Sequence, residues 1–243
     1  MKKKVVQIVC VIVFIFSAVM LGQYAYTYIE VESQLNEVQQ VYSGSVEKEQ
    51  QEEAKEYAVR ERFQELLRLN ERIVGWIALN GTKLDNPIMH AEDNEFYLHH
   101  NYLDEENRAG SIFMDFRNDF KELGIHTILY GHVMRNESMF GGLSNFSDQT
   151  YAEEHAVISF DILYTSYELY ILTAYKTTTD FYYIETDFTE ESYGDFLNDI
   201  TSRSEISMPI KVNTTDRIVT LSTCTISPND NERFVVHAKV VEN

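Results

Sequence analysis

A run of eighteen residues, Val5 to Gly22, follows Lys2-Lys3-Lys4, contains no charged side chain and has only Gln7 and Ser17 as polar interruptions. As a helix it rises about 27 Å, close to the thickness of a bilayer core. Such a segment has no place on the surface of a water-soluble domain. It is read as a transmembrane anchor, residues 1–29, with the lysines on the cytoplasmic side and the rest of the chain outside the cell. A cleaved signal peptide is the competing reading; the run is longer than a usual signal core, and no clear small-x-small cleavage site follows it. Everything beyond the anchor must then fold as an extracellular unit.

The 243 residues suffice for one ordinary domain plus a leader. Hydrophobic residues make up 44% and there are only three prolines and ten glycines, so the chain has the means to bury a core. The net charge is −19, and three of the 20 basic residues are the leading lysines, which leaves the remainder more acidic still. A nucleic-acid partner is excluded, because displacing counterions from phosphates requires a basic surface. Of two cysteines, Cys10 lies inside the apolar run, so Cys224 has no partner for an intramolecular disulfide outside the membrane. That leaves Cys224 as a small buried hydrophobe or a reactive thiol.

Val31, Leu35, Val38 and Tyr42 recur at helical spacing until Ser43-Gly44-Ser45, where the pattern is expected to break. A Glu/Gln/Lys-rich stretch follows to about Arg62, and residues 30–64 are read as a charged helical stalk. Phe63, Leu66, Leu67 and Leu69 give the next helix a packing face as the folded domain, 65–243, begins. From Trp76 the signals are mostly β: Trp76–Leu79, Ser111–Phe116, Thr127–Tyr130, Tyr167–Tyr175, Arg217–Thr223 and Arg233–Val241. Many short strands point to a barrel or sandwich. One helix interrupts them, Thr189–Ser202, with Thr189 as N-cap and Tyr193, Phe196, Leu197 and Ile200 on one side.

Cys224 ends an apolar strand, and a polar loop leads to Arg233 at the start of the next. Adjacent strands joined in this way would bring the two residues side by side at one end of a sheet. An arginine there either stabilises a thiolate and an oxyanion or is an ordinary surface residue. A thiol nucleophile also needs a proton shuttle. Seven histidines are present, among them the adjacent His99 and His100, His155 in a turn-like segment, and His237 in the last strand. His132 is set apart because Gly131 delivers it from the end of an apolar strand. No HExxH, CxxC, EF-hand loop, P-loop or GxSxG is present, so no metal or cofactor is expected.

Thr220-Leu221-Ser222-Thr223-Cys224, Arg233 and Tyr130-Gly131-His132 together resemble the class B sortases, which carry a TLxTC motif between an upstream histidine and a downstream arginine. Ile73-Val74-Gly75-Trp76-Ile77, Asn94-Glu95-Phe96-Tyr97-Leu98, Ala109 through Asp115 and Ser138-Met139-Phe140-Gly141 are similar in style. The resemblance covers roughly residues 65–243.

It implies a mainly β fold: an eight-stranded barrel with N-terminal helices and a long helix between strands six and seven, a slot that Thr189–Ser202 fits. It implies a triad of His132, Cys224 and Arg233, with Asn94, Leu98, Thr179, Tyr183, Ile184 and Ser222 along the substrate groove. The implied activity is transpeptidation. Cys224 would attack the threonine carbonyl of an NPxT-like C-terminal sorting signal on a surface protein. The thioacyl product would then pass to an amine of a peptidoglycan precursor or cross-bridge. A thiol hydrolase, a pilin-polymerising enzyme and a non-catalytic surface-binding domain are the alternatives. Thr225-Ile226-Ser227-Pro228 departs from the usual class B residues after the cysteine, in a loop expected to help form the groove.

Overall fold

The structure, a computed structural model, describes residues 2–49, 59–224 and 231–242. The Thr225–Pro228 segment lies outside them, as does part of the expected stalk. The chain divides into two compact units, 1–40 and 41–243. The first lies within helix α1, Lys2–Glu49, in which Cys10–Gly44 is long and apolar enough to cross a membrane. Contrary to the sequence expectation, the helix runs through Ser43-Gly44-Ser45. An interior glycine costs a helix only about 1 kcal/mol relative to alanine, and Tyr42, two residues before Gly44, is firmly held. Its ring stacks on Trp76 at 4.2 Å, and its hydroxyl donates to Asp161.

Arg60 and Arg62 also reach Asp161, at 2.6 and 2.8 Å, and the buried Phe63 lies in helix α2, Glu61–Leu69. Residues assigned to a solvated stalk are therefore packed against the domain. With Ser166 Oγ, four cationic or hydroxyl donors converge on one largely buried carboxylate, which by itself would be costly to desolvate.

Eight strands close into a barrel: β1 Ile73–Ala78, β2 Asp85–Met89, β3 Ile112–Met114, β4 His126–Gly131, β5 Val157–Ile162, β6 Ser166–Thr178, β7 Ile218–Cys224 and β8 Glu232–Glu242. Their order around the barrel is β1-β2-β3-β4-β7-β8-β6-β5. The pairs β2/β3 and β4/β7 are parallel and the rest antiparallel. A short helix α3, Gln149–Glu154, precedes β5, and α4, Glu190–Ser202, lies between β6 and β7. Thr189 caps α4 through a reciprocal pair with Ser192, which satisfies otherwise orphaned N–H groups.

Strand β7 is covered on both faces, which explains why its apolar residues Ile218, Val219 and Leu221 fall on both sides. Val219 and Leu221, with Val236 and Ala238 of β8, alternate into the barrel interior. The opposite face, with Ile218 and Val235, lies beneath α4, where it packs with Tyr193, Phe196, Leu197 and Ile200. On this covered face β7 carries Thr220 and Ser222, and both must find partners there.

Candidate active site

Strand register brings the site together. Gly131 at the end of β4 pairs with Thr223 of β7, and Cys224 pairs directly with Arg233 of β8. The next residue along each parallel strand is His132 and Cys224. The C-terminal ends of β4 and β7 and the start of β8 thus bring 132, 224 and 233 to one level at the barrel rim. His132 and Arg233 line a cavity of about 330 Å³, together with Asn94, Leu98, Thr179, Tyr183, Ile184 and Ser222. All six side chains expected along a groove therefore border one cavity. Phe113, Tyr130, Phe181 and Tyr182 also line it; Tyr130 and Phe113 belong to motifs that carried the resemblance but were not expected in the groove, and Phe181 and Tyr182 were not expected at all.

The imidazole of His132 is oriented by its far nitrogen: Nε2–H donates to the Leu98 carbonyl at 2.8 Å. That bond assigns the tautomer and leaves Nδ1 as the nitrogen able to gain or lose a proton. Leu98 belongs to a 3₁₀ turn, Phe96–Leu98, against which Gly110 packs at φ 58°. A methyl group on Gly110 would sit 2.5 Å from the Tyr97 carbonyl oxygen and 2.8 Å from that of Leu98. Only glycine allows this approach. His100, by contrast, stacks on Phe96 and bonds its carbonyl, outside the cavity lining.

Tyr183 is both wall and core: it lines the cavity, belongs to the cluster under α4, and its hydroxyl meets Ser222 Oγ at 2.7 Å. Thus Ser222 is satisfied, and the segment before α4 is tied to β7.

Residues 77–241 match the family model of the sortase domain. Sortase B of Listeria monocytogenes is 43% identical over 185 residues, 75% of each chain. Staphylococcus aureus sortase B is 38% identical over 243 residues, 98% of this chain and 96% of that one. A solved S. aureus sortase B–substrate complex, 39% identical, superposes with a TM-score of 0.81 over 88% of this chain and 97% of that one. This chain belongs to the class B sortases. Sortases are cysteine transpeptidases, so the cavity belongs to an enzyme of that kind.

Behind the cavity of this sortase lies a buried carboxylate, Asp115. It accepts from Arg117 Nε and Nη2 at 2.8 Å each, from Tyr130 Oη at 2.9 Å and from Asn94 Nδ2 at 3.0 Å. Burial pushes its pKa up, but the bonds from Arg117 and Tyr130 outweigh burial and hold it below the usual carboxylate range. Burial and the neighbouring Asp115 charge raise the Tyr130 phenol, which stays a donor. Arg117 extends from this centre to the cavity wall, where Nη2 donates to the Ile184 carbonyl at 2.8 Å and Nη1 to Tyr182 Oη at 3.3 Å. Asn94 is fixed further by accepting from the Phe116 N–H.

Two histidines lie buried beneath α4. Burial lowers His126 to about 4, against the opposing bond to the Glu185 carbonyl, and takes His237 well below its ordinary value, with His126 adding to the effect. Both stay neutral at neutral pH. An unfolded chain takes up these protons near pH 6.5 while the fold refuses them. Stability therefore falls as pH drops from about 6.5 towards 4, by about 1.4 kcal/mol per pH unit for each histidine. Calorimetry at pH 7, 6 and 5 is expected to show a steadily lower melting temperature; a flat profile over that interval would contradict the neutral, buried assignment.

Proposed function

We propose that this sortase cleaves an NPxT-like C-terminal sorting signal after its threonine and transfers the new carboxyl end to a peptidoglycan amine. The observation that carries this reading is the register-defined meeting of 132, 224 and 233 at the rim of a cavity lined by six further residues of the class B groove. In the first half-reaction the Cys224 thiolate adds to the threonine carbonyl carbon. The resulting oxyanion is stabilised by the Arg233 guanidinium, a permanent cation with several donors. As the C–N bond breaks, His132 Nδ1–H protonates the departing amine and leaves a thioester. In the second half-reaction His132 takes a proton from the incoming amine, which attacks the thioester and returns Cys224 as thiolate.

The remaining lining residues are assigned to substrate: Asn94 to a polar side chain of the signal, Leu98 and Ile184 to its apolar part, and Thr179, Tyr183 and Ser222 to the groove floor and wall. That the S. aureus relative has been solved as a sortase B–substrate complex supports assigning this cavity to substrate. The apolar stretch of α1 is assigned to a single-pass anchor with the N-terminus cytoplasmic and the catalytic domain extracellular.

The test is a fluorogenic NPxT peptide incubated with the domain at increasing concentrations of an oligoglycine amine. Cleavage accompanied by a growing share of amine-coupled product is expected. Hydrolysis alone at every amine concentration would identify a thiol hydrolase, and a coupled product formed only with a pilin lysine would identify a pilin-polymerising enzyme.

A further inference from the structure

The segment Tyr182-Tyr183-Ile184 forms one wall of the cavity, and the next residue, Glu185, offers its carbonyl to a buried histidine. His126 Nδ1 lies 2.5 Å from that oxygen, and its Nε2 lies 2.6 Å from Thr220 Oγ1. Thr220 Oγ1 is in turn 2.7 Å from His237 Nδ1, and His237 Nε2 is 2.8 Å from Tyr175 Oη. His126, Thr220 and His237 are all fully buried, and Tyr175 nearly so.

The direction of the chain follows from its end. A carbonyl can only accept, so His126 must carry its proton on Nδ1, and its Nε2 is an acceptor. Thr220 then donates to His126 Nε2 and accepts from His237 Nδ1–H, while His237 Nε2 accepts from the Tyr175 hydroxyl. Each hydrogen is used once, and every member is neutral. Because one proton arrangement satisfies all four bonds, the chain locks the His126 tautomer that fastens the wall.

We propose that His126, held by Thr220, His237 and Tyr175, is a positioning residue for substrate recognition that fixes the Tyr182–Glu185 wall through the Glu185 carbonyl. None of the four side chains lines the cavity, so the effect passes through the wall. The proposal rests on the reading of this cavity as the sorting-signal groove.

The experiment uses the pair His126→Asn and His126→Gln. The asparagine amide reaches the place of Nδ1 and can still donate to Glu185, whereas the glutamine amide reaches the place of Nε2 and cannot. Two quantities are read: hydrogen exchange of the amides in residues 181–187, and KM and kcat for the sorting peptide. H126Q is expected to speed exchange in that segment and to raise KM on the order of tenfold with kcat changed less than about threefold, as befits loss of one buried bond. H126N is expected to restore both towards wild type. Unchanged exchange in H126Q overturns the proposal, as does faster exchange with an unchanged KM. If the asparagine and glutamine variants lose KM equally, a nonspecific packing defect explains the result and the proposal fails.

Should either variant fold poorly, Thr220→Val keeps the shape of the buried site and breaks the chain one bond further away. It is expected to speed exchange at 181–187 by a smaller factor, and unchanged exchange there overturns the proposal. A wild-type enzyme that cleaves no sorting peptide would refute the functional reading, while the exchange arm would still report on the strut.

Discussion

Cys224→Ala is expected to leave the melting temperature close to wild type and to reduce sorting-peptide cleavage by at least about four orders of magnitude, since covalent catalysis disappears with the nucleophile. No second thiol can take over, because the chain's only other cysteine, Cys10, lies in the apolar stretch of α1. His132→Ala is expected to be less severe, about 10²- to 10⁴-fold, the usual contribution of a positioned acid–base group. A chloromethyl ketone built on the sorting peptide provides the second measurement. Mass spectrometry is expected to find one adduct on the wild type and none on Cys224→Ala. Residual cleavage within tenfold of wild type in the alanine variant would remove Cys224 from the mechanism.

The largest loss of stability from one substitution is expected at Asp115. Removing its carboxylate strands the Arg117 guanidinium and deprives Tyr130 and Asn94 of an acceptor. Breaking one side of a buried ion pair costs about 3–5 kcal/mol, and the partial exposure of Arg117, 27%, favours the lower end. For a domain of this size about 3 kcal/mol lowers the melting temperature by roughly 6–12 °C. Asp115→Ala should also raise KM, because Arg117 would no longer be held against the Ile184 carbonyl. Asp115→Asn keeps the shape and one acceptor and should fall between the two. A melting temperature unchanged in Asp115→Ala would show that the carboxylate does not stabilise the domain.

Six of the eight strands were legible from runs of Ile, Val, Thr, Tyr and Phe, and α4 from its apolar side and Thr189 cap. β2 escaped because Asp85, Asn86 and Pro87 are poor strand formers. It is tolerated because pairing with β3 starts only at Ile88, beyond the proline. β5 escaped for a different reason. Its Val157-Ile158-Ser159-Phe160-Asp161-Ile162 alternates well, yet it sits directly after α3 and includes an aspartate whose burial is compensated by Arg60, Arg62, Ser166 and Tyr42. Ser166 is near in sequence, but Tyr42, Arg60 and Arg62 lie 119, 101 and 99 residues away. The same holds at the cavity. Cys224 and Arg233 were readable as neighbours because one loop joins their strands. Arg117 and His126 were not, since the backbone carbonyls they hold, Ile184 and Glu185, have no side-chain signature.

The parallel β4/β7 pair has a further consequence. Residues 224 and 233 sit on β7 and β8 and 132 directly follows β4, so their alignment depends on pairing register. A slip of one residue would displace a strand end by about 3.3 Å and turn its side chains to the other face. In the mechanism proposed above, a Cys224 thiol misaligned in this way would lose its acid and its cation together. A domain still incompletely folded would therefore be inert towards neighbouring proteins, and reactivity would arise only as the barrel closes in its native register.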